Sequence, residues 1–208
     1  MKNYICINGQ KIELTAEQVA QLVGESEKQK RLGDVEVGGT FKIGEYEFIV
    51  LEHNYLDTGV AAVILKDLYR DDVVFGENNN YIGSNVEGIC EAFAGEIIEL
   101  VGEENLIEHS VDLTSDDGLD DYGEIESAGA SLITADMYRK FVRVLDKHKL
   151  DTWWWLATPW STKTHDNENW VKCVSPSGFF NNSLFNGYGI GVRPFWNFVS
   201  SISVSCEV

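Results

Sequence analysis

The hydrophobic pattern begins with a period of two. In YICINGQKIEL, alternating apolar residues flank Asn8-Gly9, the dipeptide that a type I′ turn prefers, so the pattern predicts a hairpin. The period then lengthens. Thr15 is placed to cap a helix over TAEQVAQLVG, with Gln18 three residues on as in a capping box and Gly24 as its stop. The polar run ESEKQKRLGD reads as a linker and puts a boundary near Asp34. Residues 1–34 are thus expected to form a small hairpin-helix element for attachment or oligomerisation, and 35–208 the main domain.

Period two returns in VEVGGTFKIGEYEFIVLEHNY and GVAAVILKDLY, which predict three strands of an antiparallel meander separated by glycine turns. In NVEGICEAFAGEIIELV, Ile89, Phe93, Ile97 and Leu100 recur at helical spacing. The next stretch, residues 103–126, holds ten carboxylates and no Lys or Arg, and reads as a solvated surface loop. Thr134 then caps a second amphipathic helix, TADMYRKFVRVLDKHK, with Asp136 near its start and Lys147, His148 and Lys149 at its end, as the helix dipole favours. Met137, Tyr138, Phe141, Val144 and Leu145 make its apolar stripe. After Leu150 come the strands WWWLATPW and WVKCV, a turn at VSPSG, a short strand or loop at GFFNNSLF and a closing strand in GVRPFWNFV. Strands, then helices, then a long aromatic strand-and-loop region predict an α+β class.

Charge sharpens this division. The chain carries a formal net charge of −18, yet residues 153–208 hold three acids and three bases, so the whole excess lies before them. The same neutral tail contains all six Trp, five Phe and one Tyr. Such an acidic chain is repelled by nucleic acid and anionic membranes, so neither is expected as a partner. No apolar run reaches membrane-spanning length and the N-terminus lacks a signal-peptide core. Synthesis in the cytoplasm, followed by association with a virion or cell surface, is the expectation. Four scattered cysteines without CxxC spacing read as reduced thiols.

The motifs LITADMYRKF, WWWLATPW, VSPSG and GVRP, with the opening VEVGGTFKIGEYEFIVLE, resemble a family of phage and bacterial domains that carry WWLR-, VNSDG- and GVRP-type motifs. That family is similar to the C-type lectin fold in its formylglycine-generating-enzyme-like branch. The likeness covers about residues 35–200. It departs at Ala157, where the family has arginine, and at Ser177, where it has aspartate. The resemblance implies a rigid frame with one freely varying face, which in phage relatives binds a host receptor and is rewritten by a diversity-generating retroelement. It places that face within 162–190, at His165, Asp166, Asn167, Asn169, Trp170, Lys172, Phe179, Phe180, Asn181, Asn182, Ser183, Leu184, Phe185, Asn186 and Tyr188. A protein or glycan receptor is the implied partner. A structural or decoration protein without a diversified face is the alternative.

Residue chemistry favours binding over catalysis. Aromatics beside Asn, Ser and Gly are the mixture that paratopes use. Trp154 and Trp196 are expected in the core, whereas Trp170, Phe179, Phe180, Phe185 and Tyr188 are balanced between packing and binding. Arg193 is expected to support the fold by bonding backbone carbonyls. The four histidines lack zinc spacing, and there is no GxSxG elbow or phosphate loop; Gly187–Gly191 precedes a strand instead of a helix. No catalytic residue and no cofactor is therefore assigned. Three weaker alternatives remain: a copper oxidase on Cys173 and Cys206, a calcium ion in the acidic loop 112–124, and calcium-dependent sugar binding near Asp166–Asn169.

Overall fold

The computed structural model describes residues 3–7, 10–15 and 28–206. Strands β1 (Asn3–Ile7) and β2 (Gln10–Leu14) pair antiparallel, with Ile5 opposite Ile12. Their Asn8-Gly9 turn and the helix expected after Thr15 lie outside the described residues.

The other strands are β3 (Lys28–Arg31), β4 (Thr40–Ile43), β5 (Tyr46–His53), β6 (Val60–Leu65), β7 (Leu106–Ile107), β8 (His109–Asp112), β9 (Glu124–Ala128), β10 (Trp153–Pro159), β11 (Trp170–Val174), β12 (Phe180–Leu184), β13 (Ile190–Gly191), β14 (Phe195–Val199) and β15 (Ser203–Cys206). They build a seven-stranded sheet in the order β3-β15-β4-β5-β6-β14-β7, a four-stranded sheet in the order β12-β11-β10-β13, and the β8-β9 pair. Against these thirteen strands the described residues hold two α-helices, α1 (Asn85–Val101) and α2 (Ala135–Leu145).

The architecture is therefore mostly β, and this corrects the expected α+β class with its C-type-lectin-like fold. One reason lies in the acid-rich stretch read as a surface loop. In HSVD, His109 and Val111 are buried while Ser110 and Asp112 face solvent, so the one acid of β8 occupies an outer position of a real strand. The polar run read as a linker also ends in structure. Lys28–Arg31 pairs with Ser203–Cys206 at the sheet edge, where lysines are well tolerated.

Helix α1 starts where Ser84 Oγ accepts from the Glu87 amide, and α2 where Thr134 Oγ1 accepts from the Met137 amide. The first start was not foreseen; the second was.

Three apolar clusters hold the layers together. The central strand β6 is buried along its whole length and β10 from Trp154 onward, so both read as nearly unbroken apolar runs. On β5 and β6, Phe48, Val50, Ala61 and Val63 face a cluster shared with Phe93 and Ile97 of α1. Their alternates Ile49, Leu51, Ala62 and Ile64 face a second cluster with Tyr138 and Phe141 of α2. Strand β10 bridges the layers: Trp154 and Leu156 join the α2 cluster, while Trp155 and Ala157 join a third with Val86 and Cys90 of α1. Trp154 and Trp196 are buried, as the aromatic pattern predicts.

Candidate ligand-binding face

Strand β11 alternates cleanly. Val171 and Cys173 point into the third cluster, so Trp170, Lys172 and Val174 point to the opposite face of the sheet. Register then fixes their neighbours on β12: Leu184 lies opposite Trp170, Asn182 opposite Lys172, and Phe180 opposite Val174. These residues form one strip. At one end Phe180 packs under Tyr138, ring centroids 4.8 Å apart, with the Arg139 guanidinium 5.0 Å and the Lys172 ammonium 5.2 Å from its ring. At the other end Trp170 and Leu184 are exposed, beside Trp160, whose amide donates to the Trp170 carbonyl.

Lys172 is buried, contrary to its expected place among surface contacts. Its ammonium meets Asp116 at 3.0 Å, and Asp116 also accepts from Arg139 at 2.7 Å. Partial burial pushes the Asp116 carboxyl up, but hydrogen bonds from Lys172 and Arg139 outweigh it and hold the group below its ordinary value. Beside this network a cleft of about 300 Å³ opens at the start of α2, between Arg139, Asp116 and Thr158.

The turn between β11 and β12 is the VSPSG turn foreseen in the sequence. Ser175 Oγ accepts from the Phe179 amide at 3.1 Å, and Gly178 takes a φ of 83°, a left-handed conformation that glycine adopts freely. The turn lifts Phe179 outward, 72% exposed. After β12, Leu184–Gly187 turns back and leaves Tyr188 83% exposed.

The loop between β10 and β11 is held from below. Asn79, fully buried, donates to the carbonyls of Ser161 and Trp170 and accepts from Tyr122. Asp117 accepts from Ser115, from Ser161 at 2.6 Å and from His165 at 2.9 Å, while Asp121 accepts from Thr162. Partial burial works against ionisation of Asp117, yet these three donors bring its carboxyl down to about 2.

These bonds also occupy several carboxylates of the acidic loop. Asp112 is taken by Thr114, Asp116 by Lys172 and Arg139, and Asp117 and Asp121 by the 161–165 loop. Among the described residues no three His, Cys, Asp or Glu side chains converge on a cation. The acidic loop clamps the neighbouring loop.

The fifteen candidate positions do not share one surface. Trp170, Lys172, Phe180, Asn182 and Leu184 share the strip, whereas Asn181 and Ser183 lie on the reverse of β12. Phe185 turns inward against the third cluster. His165, Asp166 and Asn169 are exposed in the clamped loop, where Asn167 is half-buried, and Asn186 is exposed beyond β12. Sequence reasoning missed Trp160, Arg139 and Asp116. The Asp136–Arg139 spacing, on the polar side of α2, was a usable signal for Arg139.

No family model, curated protein or solved structure matches the chain.

Strand β12 is a sheet edge, but it is not open to an added strand along its length. Odd-numbered residues bond to β11, as the Phe185 amide donating to Asn169 and the Phe179 carbonyl accepting from Ser175 show, so the even ones point away. There the Asn182 amide is capped by Asn181 Oδ1 at 2.8 Å, and the Leu184 carbonyl accepts from Gly187 at 2.8 Å. Such self-capping blunts an edge. Recognition on this side falls to side chains.

The copper alternative finds its cysteines apart. Cys173 lies in the third cluster and Cys206 in the first, and burial pushes the Cys173 thiol up to about 12.

Proposed function

We propose that the protein is a recognition module that binds a protein or glycan receptor through the β11–β12 side of the four-stranded sheet. The observation that carries this reading is the exposure of Trp160, Trp170, Phe179, Leu184 and Tyr188 within one short stretch. Between Lys172 and Arg193 the chain has no charged side chain at all, although the protein as a whole is strongly acidic. Large rigid side chains set among Asn, Ser and Gly offer contact area at low entropic cost, with adaptable hydrogen bonds around them.

The proposal extends to variation of this face. Its exposed positions stand on β12 or in the turns beside it, next to inward residues locked in the core, so substitutions at Phe179, Leu184 or Tyr188 leave the frame untouched. Sequences of sibling genes from one population test this part. Substitutions concentrated at exposed positions of 162–190 over an unchanged frame support it, and an even spread of changes refutes it.

Binding itself is tested by screening the protein against immobilised glycans and receptor ectodomains. Trp170→Ala, Phe179→Ala and Tyr188→Ala should each weaken any specific capture by about tenfold or more, with an unchanged melting temperature. Capture that ignores all three substitutions contradicts the assignment of the face.

A further inference from the structure

Among the described residues, strands β1 and β2 pair only with each other. A lone two-stranded hairpin is marginal in water; three or more strands with an apolar face are needed for stability. By the period of two, Ile5, Ile7, Ile12 and Leu14 fall on one face of this hairpin. The apolar face is present and the further strands are lacking.

Register tells which backbone groups are left over. Two residues separate Ile7 from Gln10, and the pair that closes such a hairpin exchanges both of its backbone hydrogen bonds. The alternation of the ladder puts the pairs Ile5↔Ile12 and Asn3↔Leu14 in the same class. Lys11 and Glu13 therefore turn their amides and carbonyls to the outer edge of β2, a template for another strand.

A second β2 meets those groups in a two-fold register centred on Lys11, on Ile12 or on Glu13. The first sets Lys11 against Lys11 and the last sets Glu13 against Glu13, and like charges directly opposite each other repel. The register centred on Ile12 sets each Lys11 against Glu13 of the second copy. Charge complementarity thus selects both the partner and the register. The other strand edges offer no such match. Strand β1 holds no charged residue, β3 carries Lys28, Lys30 and Arg31 without an acid, and β8 and β9 carry acids without Lys or Arg. Strands β7 and β13 are two residues long, and β12 caps its own edge. The chain is strongly acidic as a whole, but residues 1–15 hold two bases and one acid, so two copies approach here without that repulsion.

We propose that β2 pairs antiparallel with β2 of a second copy about Ile12, joining two hairpins into one four-stranded sheet in the order β1-β2-β2-β1. The interface is isologous, so the assembly closes at a dimer. The dimer carries the β11–β12 side twice, which raises avidity for a surface that displays its receptor in many copies. The contact itself does not rest on the receptor reading.

Sedimentation equilibrium of the full chain should show monomer and dimer in exchange at concentrations up to about 100 µM. Lys11→Glu and Glu13→Lys should each raise the dissociation constant about tenfold or more, because each sets like charges opposite one another at both ends of the contact. Combining the two substitutions in one chain should restore the original value. Mixing the two single variants should give a heterodimer, because every repulsive pair then becomes attractive. Recovery in both cases separates lost charge pairing from a lost hairpin. Cross-linking reads the register. In a Cys6→Ser background, where the described cysteines that remain are buried, Ile12→Cys should form an intermolecular disulfide on mild oxidation. Opposed Cα atoms in a non-hydrogen-bonded pair lie about 4.5 Å apart, within disulfide reach. Gln10→Cys should not cross-link, since its two copies stand about 13 Å apart. A chain that stays monomeric throughout, a dimer indifferent to both charge reversals, a loss that neither the combined variant nor the mixture repairs, or equal cross-linking at positions 10 and 12 would each overturn the proposal.

Discussion

Arg193 gives its donors to three backbone carbonyls: Nε to Leu65 at 2.8 Å, and Nη2 to Lys66 at 2.8 Å and His148 at 3.4 Å. Its guanidinium lies 5.2 Å from the Trp154 ring, and burial brings its pKa down to about 10, still fully charged at neutral pH. Arg193→Leu leaves those carbonyls unmatched. The expected loss is about 3 kcal/mol, or roughly 6–12 °C in melting temperature, read by circular dichroism, with face binding intact in the folded fraction. His109 gives a second prediction. Burial brings its imidazole down to about 4, from an ordinary value near 6.5. The unfolded chain therefore takes up this proton first. The contribution is complete above about pH 6.5 and is lost as pH falls towards 4, by about 1.4 kcal/mol per unit. Urea unfolding at pH 7 and pH 5 should show that loss, and His109→Gln should flatten it. At this scale the sequence was partly readable. The backbone-bonding role of Arg193 and the burial of Trp154 followed from their motifs. Which aromatics look outward did not, because Phe179 and Phe180 are neighbours with opposite directions, set by a turn and by Tyr138 on another element.

Among the elements, the acidic loop is the one whose role the sequence concealed. Its carboxylates suggested solvent or a cation, yet Asp117 and Asp121 hold the 161–165 loop through Ser161, Thr162 and His165. Nothing local announces that pairing, since the partners lie more than forty residues apart. Strands β3, β13 and β15 were hidden for the same reason: each is short and exists through pairing with distant chain. The long apolar strands and α2, whose signals are local, were legible. Because the Asp117 carboxyl is depressed, its clamp is complete above its unfolded value near 4 and weakens as pH falls towards 2. Asp117→Asn should mimic that weakening at neutral pH. Amides of 161–168 should exchange with solvent at least tenfold faster, while those of β10 and β11 stay protected; unchanged exchange would remove the clamp from the account.

Across the whole molecule, charge and apolar surface are kept apart. One stretch, 71–138, carries eighteen acids without a base, and the rest of the chain holds sixteen of each sign. The β11–β12 side presents aromatic and amide groups, with its one lysine already neutralised by Asp116. A partner recognised there meets little net charge. Affinity should therefore change less than threefold between 50 and 500 mM salt, unlike the strong dependence of an electrostatic interface. The most direct measurement is an alanine scan of Trp160, Trp170, Phe179, Leu184 and Tyr188 against a captured receptor, with melting temperatures recorded beside each affinity. The account predicts that Trp170, Phe179 and Tyr188 at least each lower affinity about tenfold or more when replaced, without changing stability. Equal affinity for all five variants, or losses that follow stability alone, would contradict it.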